Sequence, residues 1–134
     1  MEKEDKEILL RDLSARLPYG VKCQHFDDKT PYALLGIDGD VLHIDCPVYD
    51  EGDGYVEIEY CKPYLRSLSS MTEEELKIYH SYCECDNGDF TGEILYFDTI
   101  ESFDYLTSIH IDYRGLIPMG LAIEVTEKNN PYKE

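Results

Sequence analysis

The sequence predicts one α+β domain spanning residues 1–134, with a mostly antiparallel sheet of four to six strands packed by two or three helices. Three observations lead there. Apolar residues recur at helical spacing near the start, and a helix-capping signature stands at Thr72. Between them, short apolar runs alternate with turn signals. A chain of 134 residues can bury a real core, removing roughly two-thirds of its unfolded surface from water.

Residues 3 to 17 read as an amphipathic helix, with Ile8, Leu9, Leu13 and Leu17 in period and charges between them. Pro18 is expected to end it by pushing Leu17 out of the α region, and Tyr19-Gly20 then turns the chain. Val21 to Tyr60 reads as a β-meander. Tyr32 to Ile37 is a short apolar run, and Asp38-Gly39-Asp40 is a hairpin signal. Val41 to Cys46 returns, Pro47 closes that strand, and Asp50-Glu51-Gly52-Asp53-Gly54 supplies a second turn. Tyr55 to Tyr60 alternates strictly. Val56, Ile58 and Tyr60 are expected on one face, with Tyr55, Glu57 and Glu59 on the other.

Thr72 and Glu75 form a capping box, with Met71 and Leu76 at the positions of a hydrophobic staple. This predicts a helix to about Tyr82, broken by Asp86-Asn87-Gly88. A short strand follows at Glu93 to Phe97. A third helix is expected behind a cap of Asp98 with Glu101, with Ile100, Phe103, Leu106 and His110 in period. Tyr113-Arg114-Gly115 turns, Gly120 to Val125 suits a last strand, and the polar tail from Thr126 is expected to fray.

Charge separates this chain from an ordinary domain. It carries 12 Lys plus Arg against 29 Asp plus Glu, a formal net charge of -17. No Lys or Arg occurs between Lys29 and Lys62, or between Lys77 and Arg114. The two gaps hold sixteen carboxylates, and without interspersed cations their fields add. Such a chain repels a nucleic-acid backbone and an anionic membrane, so neither is expected as a direct partner. A basic protein surface, a metal ion or a cationic ligand is. The charged start, Met1 to Lys6, has no secretory h-region, and no apolar run approaches the roughly 20 residues of a membrane span. Five Cys, an odd number, then point to reduced thiols and a cytoplasmic location.

Motifs of catalysis are weak. Cys23, His25, His43, Cys46, Cys61, Cys83 and Cys85 carry metal-ligand chemistry, but two of their pairs have a single intervening residue where structural zinc favours two to four. His43 and Cys46 fall on opposite faces of a strand. The Asp50 to Gly54 run does not fit an EF-hand loop, and Asp38 and Asp40 suit turn geometry alone. No nucleophile elbow, phosphate loop or H-E-x-x-H is present, and nothing local singles out a Cys–His dyad. No cofactor is indicated. The candidate binding feature is an acidic face formed by Asp38, Asp40, Asp45, Asp50, Glu51, Asp53, Glu57, Glu59, Glu84, Asp86 and Asp89.

The stretches Asp12 to Val21, Lys62 to Glu75 and Asp112 to Glu124 resemble a family of small uncharacterised proteins of Bacteroides-type gut bacteria and their prophages. The resemblance implies an intracellular bacterial or phage setting, often on mobile DNA, and transfers no catalytic residues. In these stretches Tyr64, Leu65 and Leu68 look like core, and Arg66 and Arg114 are expected to pair with carboxylates. The function expected is a non-enzymatic acidic protein-binding module. In a mobile-element setting, its specific form is a nucleic-acid mimic with an anti-defence role, occupying a basic groove of a host enzyme. The alternatives are an acidic structural or adaptor protein, and a zinc-binding or metal-dependent enzyme. Oligomeric state stays open.

Overall fold

The computed structural model describes residues 2–25, 28–45, 54–86 and 95–132. Helix α1 (Lys3–Arg16) buries Leu9, Asp12, Leu13 and Arg16, a stripe at helical spacing in which two of the four residues are charged. Leu17 keeps α dihedrals (φ −52°, ψ −45°), contrary to the expectation that Pro18 would expel it. Pro18 instead sits in a 3-10 turn, Leu17–Tyr19, because its fixed φ suits the first positions of a helical turn. Gly20, at φ +73°, ends the turn in the left-handed region.

Eight strands follow among the described residues: β1 (Lys22–His25), β2 (Asp28–Asp38), β3 (Val41–Ile44), β4 (Tyr55–Glu57), β5 (Cys61–Leu65), β6 (Glu84–Asp86), β7 (Leu95–Phe97) and β8 (Ile123–Glu124). Six form a sheet ordered β4-β3-β2-β1-β5-β8, and β6 pairs with β7 separately. Every pairing is antiparallel except β5 with β8. With helices α2 (Glu73–Tyr82) and α3 (Ile100–Ser108), this is the α+β domain expected. The predicted hairpin forms, with Asp38 opposite Val41 around Gly39-Asp40.

The expected strand Tyr55 to Tyr60 stops at Glu57, where Ile58–Tyr60 becomes a 3-10 turn and the Ile58 N–H donates to the Asp40 carbonyl at 2.9 Å. Tyr60, placed by alternation on the buried face, is 44% exposed. The turn leads into β5, a strand the sequence hid behind Lys62 and Pro63. This connection shapes the sheet. In a flat sheet β4 and β5 would stand about 19 Å apart at ~4.8 Å per strand, yet four residue steps reach only about 14 Å. The sheet therefore curls, and its concave face holds the core. Leu9 and Leu13 of α1 pack there with Val21, Leu34, Leu42, Ile44, Val56, Ile58 and Leu65. Gly54 closes the β3–β4 contact. Its carbonyl accepts from the Ile44 N–H at 2.8 Å, and a Cβ there would stand 2.2 Å from the Ile44 carbonyl oxygen.

The Thr72–Glu75 capping box of α2 is present, at 3.1 Å and 2.9 Å. The helix leaves α geometry at Cys83, ahead of the expected break at Asp86-Asn87-Gly88, whose last two residues lie outside the described residues. Helix α3 is capped by Thr99 with Ser102, not by Asp98 with Glu101. Asp98 instead accepts hydrogen bonds from the Tyr79 hydroxyl and, at 3.0 Å, from Ser102 Oγ. His110 lies beyond the helix at φ +66°. Hydrogen bonds from Ile111 N to Leu106 O and from His110 N to Thr107 O make a Schellman ending with His in the glycine position. The tail is anchored as far as Tyr132. That residue stacks on His110 at 3.6 Å, donates to the Tyr64 carbonyl at 2.7 Å and accepts from the Lys22 N–H at 2.9 Å. Tyr64 and Leu65 are core, but Leu68 is 51% exposed.

Three arginines tie the helices to the rest of the fold. Arg16 and Asp12 are wholly buried and pair at 2.7 Å, while Arg16 Nη2 donates to the Ile111 carbonyl at 2.6 Å. Arg114 Nε stands 3.3 Å from the other Asp12 oxygen, and both guanidiniums lie over the Tyr113 ring. Arg66 forks onto Glu75 at 2.8 Å and 2.7 Å, tying β5 to the start of α2. Both Arg66 and Arg114 thus pair as expected. Breaking a buried pair costs about 3–5 kcal/mol, because the survivor stays charged in a dry site. Arg16→Met is expected to lose about that much in urea unfolding, and Asp12→Leu with Arg16→Met to lose less than Arg16→Met alone. The Arg66 hydrogen bonds lower the Glu75 carboxyl from its ordinary 4.5 to about 2, against the opposing effect of burial. A depressed carboxylate stabilises above its unfolded value, so this contribution should fade as pH falls from 4.5 towards about 2. The stability difference between wild type and Glu75→Gln should shrink over that window in denaturant titrations.

Candidate functional site

Three of the candidate carboxylates converge. Asp40 from the β2–β3 hairpin, Glu57 from the end of β4 and Glu59 from the 3-10 turn surround a cleft of about 290 Å³, with Lys6 of α1 opposite. Lys6 Nζ is 3.9 Å from a Glu59 oxygen. Glu57 and Glu59 were expected roughly 6.7 Å apart on one strand face. The turn at Ile58 brings their side chains into hydrogen-bond contact instead. That contact and the Glu59 charge raise the Glu57 carboxyl above its ordinary value, Asp40 adds to the rise, and Lys6 opposes it.

Among the described residues, the other candidates do not line this cleft. Asp38 ends β2, and Asp45 follows β3 with its N–H bonded to the Ala33 carbonyl at 2.9 Å. Glu84 begins β6 opposite Phe97, and Asp86 is paired opposite Leu95, in the separate two-stranded sheet. Asp50, Glu51, Asp53 and Asp89 lie outside the described residues. In the second cation-free gap, Asp112 caps the N–H groups of Leu116 and Ile117 at 2.9 Å each, so it serves the fold. Glu101 and Asp104 are exposed on α3.

The metal and nucleophile candidates scatter. Among the described residues, no group of three or more His, Cys, Asp or Glu side chains converges as a metal site. Burial pushes the Cys23 thiol up, with nearby Cys61 adding, and pushes Cys61 up to about 12. A reactive thiol is displaced the opposite way. Cys46 lies outside the described residues. Three histidines stack on tyrosines: His43 on Tyr55 at 4.6 Å, His80 on Tyr96 at 3.7 Å, and His110 on Tyr132. Burial, then Arg16 and Arg66, lower His110 to about 4, so it is neutral at physiological pH.

Two joined grooves were not foreseen. One, of about 700 Å³, runs between α1 and α3 and includes Tyr19, Ile100, Phe103, Asp104, Tyr113 and Arg114. The other, of about 340 Å³, is formed by Tyr19, Tyr82, Glu101, Asp104, Tyr105 and Ser108. Ile100 and Phe103 stand in the helical period expected of α3, yet Ile100 is 80% exposed and Phe103 40%. The missed signal was position, since Ile100 is the first residue of its helix and lies beyond the face that Leu106 buries. No family model, curated protein or solved structure matches this chain.

The crowding at Glu57 gives a stability test. A carboxyl raised by folding is disfavoured when ionised, so its destabilisation is present at neutral pH and disappears below its ordinary 4.5. Glu57→Gln should raise the melting temperature at pH 7 and leave it unchanged near pH 4.

Proposed function

We propose that this chain is a non-enzymatic protein-binding module that presents carboxylates to a basic protein surface. One observation carries the reading: the fold engages three of its four arginines internally. Arg16, Arg66 and Arg114 pair within the fold, on Asp12 and Glu75, while Arg11 is exposed on α1. The surface is left with carboxylates whose fields add, and the Asp40–Glu57–Glu59 cleft concentrates them around one lysine. A cationic partner would relieve the crowding there. The raised Cys23 and Cys61 thiols favour binding over nucleophilic chemistry.

The specific form of this reading is an inhibitor that occupies the basic nucleic-acid groove of a host enzyme, in the mobile-element setting the resemblance implies. Its support is net charge and the internally paired arginines. Among the described residues, no helix is long and apolar enough to cross a membrane.

The test is binding to a cationic nucleic-acid enzyme across a salt series. Affinity should fall steeply between about 50 and 200 mM salt, as expected when exposed charges are screened over ~8–10 Å. A salt-independent affinity would sink the reading.

A further inference from the structure

Tyrosines from three helical segments line the smaller groove. Tyr19 closes the 3-10 turn that continues α1, Tyr82 is the last residue of α2, and Tyr105 and Ser108 belong to the last turn of α3. All four line the smaller groove, together with Glu101 and Asp104. The two exposed carboxylates, in a chain of net charge -17, favour a cation there. The walls are aromatic: Tyr82 and Tyr105 stand 5.8 Å apart at 39°. Tyrosine faces attract ammonium and guanidinium groups within about 6 Å of the ring.

The cation would not arrive alone. Tyr19 and Asp104 belong to both grooves, so the cage adjoins the larger one. That groove offers Ile100 and Phe103, which are far more exposed than core side chains. Arg114 also lines it, but its charge is engaged by Asp12 at 3.3 Å and its plane lies over Tyr113. Of fourteen large apolar or aromatic residues exposed among the described residues, eight fall between Leu76 and Phe103. Three of these, Tyr82, Ile100 and Phe103, line the two grooves, and exposed apolar side chains at a groove mark a contact surface. A second copy of this chain is a poor occupant, since each copy carries -17.

We infer that the joined grooves dock a basic segment of a partner protein, with an Arg or Lys side chain held among Tyr19, Tyr82 and Tyr105 and a neighbouring apolar side chain on Ile100 and Phe103. This rests on the protein-binding reading and names the contact within it. Glu101 and Asp104 line the same groove and supply the carboxylates that would meet the cation. The apolar neighbour sets the register of the segment, because the cage by itself accepts any exposed arginine or lysine.

The experiment uses the full chain and a fluorescein-labelled peptide alternating arginine with leucine, followed by anisotropy at about 150 mM salt. Tyr82→Ser and Ile100→Ser change no charge and remove exposed side chains, and melting curves confirm that both fold. Each is expected to weaken binding about tenfold, while Leu35→Ser, at an exposed side chain outside both grooves, leaves it unchanged. A peptide with serine in place of leucine should bind more weakly than the leucine form. If Tyr82→Ser and Ile100→Ser bind like wild type while salt still weakens the complex, the groove is overturned and the acidic-surface reading stands. Absence of binding even at low salt overturns both. A dimer in sedimentation that Ile100→Ser dissociates overturns the basic segment in favour of a second copy.

Discussion

A wholly buried ion pair, Asp12 with Arg16, decides how the first helix meets the rest of the chain. Removing two charges from water is expensive, and the pair holds only where further hydrogen bonds and close geometry compensate. The Ile111 carbonyl, the Tyr113 ring and Arg114 provide that compensation, and all come from the segment just after α3. The pair therefore does more than join two turns of one helix. It docks the C-terminal end of α1 against the end of α3, which positions Tyr19 beside Tyr82 and Tyr105. The groove geometry follows from a charge interaction that never reaches the surface.

The same interaction explains the surface. An arginine buried on Asp12 cannot screen an exposed carboxylate, and Arg66 is engaged in the same way by Glu75. Arginine suits such sites because its planar fork meets a carboxylate with two hydrogen bonds. Glu75 is doubly used, since it also accepts from the Thr72 N–H in the capping box. Internal pairing and external acidity are thus two sides of one allocation of few cations.

The features that sequence made legible were local. The capping box at Thr72, the hairpin at Asp38 to Val41 and the α+β class depend on neighbours in the chain. What sequence hid depends on distant contacts. Strand β5 has no alternation because it lies between β1 and β8 and buries Cys61, Pro63, Tyr64 and Leu65 together. The α1 stripe is obscured because Asp12 and Arg16 occupy positions where periodicity looks for leucine. Ser102 replaces the Glu or Gln that a capping-box search requires, so the rule settled one residue early on Asp98. Of the acidic candidates, the convergence of Asp40, Glu57 and Glu59 arises from a 3-10 turn that alternation concealed. The cage of tyrosines was invisible because its members are spread from residue 19 to residue 105.

The acidic cleft and the tyrosine cage lie at opposite ends of α1, the first beside Lys6 and the second beside Tyr19. At 1.5 Å per residue their separation along the helix is about 20 Å, more than twice the ~8 Å screening length at physiological salt. Carboxylates in the cleft therefore add little to the energy of a cation held in the cage. In the binding reading proposed above, their field would act on an approaching basic surface before contact and raise the rate of encounter. The cage and the exposed Ile100 and Phe103 would act only once water is displaced, and so would set how long such a partner stays. A surface organised in this way would draw in many basic proteins and retain few, so selectivity would reside in the aromatic end and not in the net charge.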